Sequence, residues 1–325
     1  MNRFQRSWEL LKSSLAVMME NKLLLAFPIL ISTLTLFMGL LFLTPVAFQR
    51  TGYGYGSAEH WKAVGNSIVN LNTLSNQNQA ASSDDSQGAQ TGSSPRVGIT
   101  AVRPLALAYF ALMYFASMFV ATFLNVAFYR EILNALNGGQ VSIIGGIQFA
   151  CTKWKIILMW ALFAGLVGMI IRALEQRFGM IGQVMMRLLG AVWSVACVFV
   201  IPVIVTEEET ANPVEVLKKS ATTLTRTWGE SLIGYAGVSI GGGIIMLASL
   251  LWLGAGIFVA TNLHSLALGA LVVLSWLAGV CILSYLMGIA SQIFRCALFL
   301  YATRGTLPDP YNEEMMALAW KVKKG

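Results

Sequence analysis

The sequence predicts an all-α, polytopic membrane protein with six transmembrane helices, arranged as three units of cytoplasmic interfacial helix plus two spans. Three observations carry the prediction: apolar runs long enough to cross a bilayer, a skewed distribution of Lys and Arg, and amphipathic segments ahead of alternate runs. Composition sets the solvent. Of 325 residues, 56% are hydrophobic and 11% charged, whereas soluble domains average about 25% charged. In water that surplus would leave large apolar faces exposed; in a bilayer, lipid solvates them.

A crossing helix needs about 20 apolar residues at about 1.5 Å rise each. Six segments qualify: 23–48, 105–129, 156–171, 180–205, 232–260 and 266–294. The third is short, and the last two are long enough to tilt or run past the bilayer. The first reads as a retained span, because its apolar run exceeds that of a cleaved signal and no small-x-small site closes it. Pro28 and Pro202 are expected to mark kinks.

Amphipathic lead-ins precede the first, third and fifth spans. Within 1–22, Phe4, Trp8, Leu11, Leu15 and Met18 recur at three- and four-residue intervals. Within 141–155, Ile144, Ile147 and Cys151 share a side and Trp154 stands at the boundary. Within 212–228, Asn212 suits an N-cap and Pro213 the first helical position, and Val216, Leu217, Ser220 and Leu224 form the apolar side. The threefold repeat lies in hydropathy more than in letters, although Leu11-Lys12-Ser13-Ser14 resembles Leu217-Lys218-Lys219-Ser220.

Charge sets the orientation. With the amino terminus inside, fifteen of the 22 Lys and Arg fall on the cytoplasmic side, which places both termini, including the 295–325 tail, in the cytoplasm of a cell (inner) membrane protein. The net charge of +7 then reflects a basic face beside anionic lipid and calls for no nucleic acid. The loop 49–104 is extracytoplasmic, polar and partly disordered by composition, with Trp61, Val64, Ile68 and Leu71 spaced as a short interfacial helix.

Phe4-Gln5-Arg6-Ser7-Trp8-Glu9-Leu10, Phe27-Pro28, Arg172-Ala173-Leu174-Glu175-Gln176-Arg177, Val200-Ile201-Pro202-Val203 and Leu217-Lys218-Lys219-Ser220 through Arg226-Thr227-Trp228-Gly229-Glu230 follow in that order along the chain. With them the sequence resembles an uncharacterised family of prokaryotic six-span membrane proteins. It is also similar in pattern to the membrane domain attached to some bacterial glycerophosphodiester phosphodiesterases, here without a catalytic domain. The resemblance implies a fold and no activity.

Candidate chemistry is sparse. Coupled carriers need ionisable groups at membrane depth, and no Asp, Glu, Lys or His lies near the midpoint of any predicted span. Asn125, with Thr122, Ser194 and Ser284, could line a neutral pathway, although hydrogen bonding between helices is the plainer reading. Arg172, Glu175, Arg177 and Arg187 gather at the outer ends of the third and fourth spans as candidate lipid or partner contacts, with Arg172 and Glu175 three apart and able to pair. Glu207, Glu208 and Glu209 match no calcium loop and read as a solvated face opposite Lys218, Lys219 and Arg226.

Small residues point to helix packing: Gly237 and Gly241 in the fifth span, Ser284 and Gly288 in the sixth. His60 and His264 lack a ligand-spaced partner, and the four cysteines form no C-x-x-C pair, so no metal site and no cofactor is expected. The expectation is a non-enzymatic membrane protein acting by helix packing, lipid organisation or partner docking. Its partners would be membrane lipids and a protein partner or second copy through the last two spans. The rival expectation is a channel or facilitator for a small or lipid-like solute through the third to sixth spans.

Overall fold

A computed structural model describes residues 3–68, 104–177, 180–207, 212–227, 231–305 and 308–311. Regular structure among them is helical throughout, without strands. Helix α1 is Arg3–Glu20, and a 3-10 turn at Lys22–Leu25 leads into α2, Ala26–Ala47. Then come α3 (Ala58–Ile68), α4 (Pro104–Leu136), α5 (Ile143–Thr152), α6 (Trp154–Arg177), α7 (Met180–Ala196), α8 (Val200–Thr206), α9 (Pro213–Thr227), α10 (Ser231–Asn262) and α11 (Leu266–Arg304).

Among the described residues, five stretches are long and apolar enough to cross a membrane: Lys22–Ala47, Pro104–Leu136, Trp154–Glu175, Val184–Thr206 and Leu266–Arg304. Residues of the predicted fifth span lie in α10, a 32-residue helix whose described side chains form the shorter apolar stretch Ser249–Asn262. Several helices outrun their hydropathy. The second predicted span stops at 129, where charge begins, yet α4 runs to Leu136 because Glu131, Ile132, Leu133 and Leu136 are buried by neighbouring helices. The predicted 180–205 span is two helices, α7 and α8, with a turn between them.

The chain divides into two compact units. In the unit formed by residues 1–32 and 121–325, α1 packs on α10 and α11, α10 pairs with α11, and α6 pairs with α7. Helix α9 sits against α6, α7, α8 and α11. Burial concentrates in part of α4, α6 and α11. Ile289, Ile293, Phe294 and Leu300 of α11 are buried, whereas Leu266, Leu271, Leu274 and Ile282 of the same helix are exposed. Residues 266–288 extend about 34 Å, matching a hydrocarbon core of about 30 Å, so the exposed length suits lipid and the buried remainder belongs to a packed base.

The lead-in helices build that base. Leu10, Leu11, Ser14, Val17 and Met18 of α1 and Val216 and Ser220 of α9 point inward. Phe27 stacks on Phe128 with ring centroids 5.2 Å apart. Beside them, α5 approaches α4 so closely that a Cβ on Gly146 would lie 2.8 Å from the Ala127 carbonyl oxygen and 3.3 Å from Phe27. Since backbone oxygen cannot swing aside, Gly146→Ala is expected to destabilise the fold by about 2 kcal/mol, read by thermal unfolding in detergent. A loss below about 0.5 kcal/mol would show that the α4–α5 contact gives way freely.

In the unit of residues 33–120, Leu36, Phe37, Leu40, Leu43, Leu105 and Leu112 are exposed along their helices. The Tyr109 hydroxyl donates to the Phe42 carbonyl at 2.5 Å. Helix α3 carries the predicted helical spacing, with Val64 buried but Trp61 exposed; Leu71 lies outside the described residues. His60 is fully buried at the start of α3. Its Nε2–H donates to the Ala47 carbonyl at 2.9 Å, leaving Nδ1 to accept from the Thr51 hydroxyl at 2.6 Å. The ring therefore serves as a structural clamp between the end of α2 and α3.

Candidate functional site

Ser14, Glu131 and Ser220 are buried in the base, and each holds a junction. The principal one is the break between α7 and α8. Pro202 has no N–H to continue a helical ladder through this point, and the chain closes a tight turn instead, with Val200 N–H donating to Cys197 at 3.2 Å. Ser220, fully buried on α9, spans the gap: its hydroxyl accepts from Phe199 N–H at 3.1 Å and donates to the Ala196 carbonyl at 2.6 Å. One side chain thus satisfies both sides of a broken helix.

The far end of α8 is held electrostatically. Lys153, which caps α5, donates to the Glu207 carbonyl at 2.5 Å, placing a cation at the C-terminus of α8 where the helix dipole favours it. Lys219 pairs with the Glu207 carboxylate at 2.8 Å and with Glu215 at 3.7 Å. The hydrogen bond to Glu207 raises the Lys219 ammonium above its ordinary value, with the charge of Glu207 and Glu215 adding to it. The predicted facing of Glu207 and Lys219 is therefore a direct ion pair; Glu208 and Glu209 lie outside the described residues.

Ser14 occupies in α1 the place Ser220 occupies in α9, fourth in the matching tetrapeptides. It is likewise buried, donates to the Leu10 carbonyl at 3.0 Å and shares a 2.8 Å hydrogen bond with the Tyr311 hydroxyl. Burial pushes the Tyr311 phenol above its ordinary range, so it stays protonated and hydrogen-bonds as a neutral group. Helix α11 is tied to the entry of α2 by the Tyr285 hydroxyl, which donates to the Leu25 carbonyl.

Glu131 is a group the hydropathy reading passed over. It lies 3% exposed on α4 and accepts from Ser142 N–H at 2.7 Å, while the Ser142 hydroxyl accepts from Gly145 N–H at 3.1 Å. Both anchor the N-terminus of α5, where a carboxylate is electrostatically favoured. The Ser142 cap ahead of the apolar run from Ile143 was the available signal; Glu131, eleven residues earlier, gave none. Where α1, α4 and α11 end, a cleft of about 410 Å³ is lined by Glu20, Asn137, Arg304 and Asp309.

Glu175 pairs with Arg187 at 3.2 Å and not with Arg172, because α7 folds back along α6 and brings Arg187 across; Arg172 is exposed. The Arg177 side chain lies outside the described residues. With Arg187 73% exposed, Arg187→Gln is expected to change unfolding stability by less than about 1 kcal/mol. Asn125 donates to the Ala121 carbonyl of its own helix at 2.8 Å.

Gly237 and Gly241 lie in α10, in a stretch whose side-chain surroundings fall outside the description. Ser284 and Gly288 are both exposed, and no atom lies within 4 Å of a Cβ built on Gly288. Among the described residues, α10 and α11 come close at Gly256, where a Cβ would lie 2.6 Å from Val272. Among the described residues, no group of three or more His, Cys, Asp or Glu could hold a metal ion.

Long apolar helices exposed along one length, and packed at the other on short amphipathic helices, define a helical membrane protein. The chain belongs to a family of unknown function, DUF6159, whose pattern matches residues 105–308. No curated protein and no solved structure matches it.

Proposed function

We propose that the protein is a non-enzymatic membrane scaffold with six spans and both termini cytoplasmic, which organises lipid and docks protein partners around a rigid base. The observation that carries this reading is the partition of burial. Apolar side chains along the exposed lengths of α6, α7, α10 and α11 face outward, among them Leu162, Leu166, Leu188, Val192, Leu251, Phe258 and Leu274. Fixed packing is concentrated where lead-in helices pack against the long helices, as α1 does on α10 and α11 and α9 on α6, α7 and α11. A scaffold needs rigid outward faces; a pore needs inward polar ones. The cleft at the ends of α1, α4 and α11 adds a surface with two carboxylates and one guanidinium, suited to a partner's basic side chain.

The facilitator reading draws on the α7–α8 break, since interrupted helices line some transport sites. Here Ser220 satisfies the freed backbone groups, which favours a structural joint over an ion site. Native mass spectrometry of the protein extracted gently from its own membrane tests the proposal. A fixed oligomer or a stoichiometric protein partner is the expected result. A monomer carrying one specific small solute would replace the scaffold with a facilitator.

A further inference from the structure

The start of α6 combines a charge, an interfacial aromatic and an apolar stripe on one helical face. Lys155, Met159, Leu162 and Leu166 follow one another at intervals of four, three and four, with Met169 and Ile170 next in line. All six are exposed, Leu166 to 50% and Ile170 to 56%. From Met159 to Ile170 the stripe is about 16 Å long, the depth of one leaflet of a hydrocarbon core about 30 Å thick.

At its head, the Lys155 ammonium lies 6.0 Å from the ring centre of Trp154, itself half-exposed as interfacial tryptophans are. On α4, the exposed Arg130 guanidinium sits 4.8 Å over Phe149 of α5. Lys153 shares that ring at 6.0 Å but is engaged with the Glu207 carbonyl. Among the described residues no carboxylate forms an ion pair with Lys155 or Arg130, since Glu131 is turned inward onto Ser142 and Glu207 is taken by Lys219.

From this we infer that the α5–α6 junction binds an anionic phospholipid: Lys155 and Arg130 hold the headgroup phosphate, and an acyl chain lies along Met159, Leu162 and Leu166. The charge selects the headgroup and the stripe supplies the chain contact, so a free phosphate would keep only half of the recognition. The inference deepens the scaffold proposal and rests on one part of it, that α6 crosses the bilayer with this face toward lipid.

The test uses the full chain in nanodiscs of phosphatidylcholine with a minor share of phosphatidylglycerol, with retained lipids counted by native mass spectrometry. The wild type is expected to retain phosphatidylglycerol above its bulk share. Lys155→Gln and Arg130→Gln should each lower that enrichment about fivefold, equivalent to about 1 kcal/mol per cation. Lys155→Arg should preserve it, and Lys218→Gln, an exposed lysine on α9, should leave it unchanged. Retention in the bulk ratio would overturn the site outright, and an equal loss in Lys218→Gln would overturn it in favour of general surface charge. A partnerless monomer that still selects phosphatidylglycerol through Lys155 would sink the scaffold and keep the lipid site; a fixed oligomer without selection would do the reverse.

Discussion

Replacing Ser220 with alanine is expected to lower unfolding stability by about 3 kcal/mol, a large effect for the loss of one oxygen atom. The hydroxyl both accepts from Phe199 N–H and donates to the Ala196 carbonyl. Phe199 is fully buried, and Ser220 itself admits no solvent. Alanine would leave a donor and an acceptor unpaired in an apolar setting, at about 1–3 kcal/mol each before relaxation. Ser194→Ala is the control: that hydroxyl is exposed and returns to the Gly190 carbonyl of its own helix, so a change within about 0.5 kcal/mol is expected. Thermal or denaturant unfolding in one detergent reads both variants. A loss below about 1 kcal/mol for Ser220→Ala would show that water or a rearranged turn serves the break instead.

Trp160→Ala is expected to cost about 3 kcal/mol and to loosen α6 from α7. The indole is 5% exposed and stacks on Trp193 with centroids 6.3 Å apart and planes within 5°. Phe163 lies 5.8 Å from Trp160 and 5.9 Å from Trp193, closing a three-ring cluster between the helices. Removing a buried indole from a water-soluble core costs about 3–5 kcal/mol. The lower end applies here, because lipid replaces water as the competing surroundings and packing is what remains to be lost. Trp160→Phe should recover more than half of the loss, and Trp252→Ala, at an exposed position on α10, should cost under about 0.5 kcal/mol. Equal losses at Trp160 and Trp252 would remove the α6–α7 cluster from the account of stability.

Much of the candidate site was half-legible. The spacing of α9 placed Ser220 on the apolar side of a lead-in helix, which is where it lies, but nothing in the local pattern named its partners, which belong to residues 21 and 24 positions away. The kinship of Ser14 and Ser220 was visible as letters, and the structure gives it a meaning: in both helices the fourth residue of the tetrapeptide is buried and tied to another segment. Glu175 pairs with Arg187, whereas spacing along one helix allowed it a partner in Arg172. A three-residue interval favours a local partner only until the return helix brings a competitor, and spacing along one helix cannot report its neighbour.

Hydropathy by itself determined that the protein is helical and membrane-embedded. Apolar runs of bilayer length must form helices because lipid offers no partner for backbone N–H and C=O, a constraint that acts on each segment alone. Amphipathic periodicity likewise determined which faces of α1 and α9 would turn inward. Where helices stop, break and meet was decided by tertiary structure. Helix α4 runs past its first charges since Glu131 finds the N-terminus of α5, and α7 ends at Ala196 since Ser220 arrives from α9. At Gly256 a close helix contact forms since Val272 stands opposite it. Each outcome depends on a group distant in sequence that satisfies or excludes a particular atom, which a local pattern does not encode.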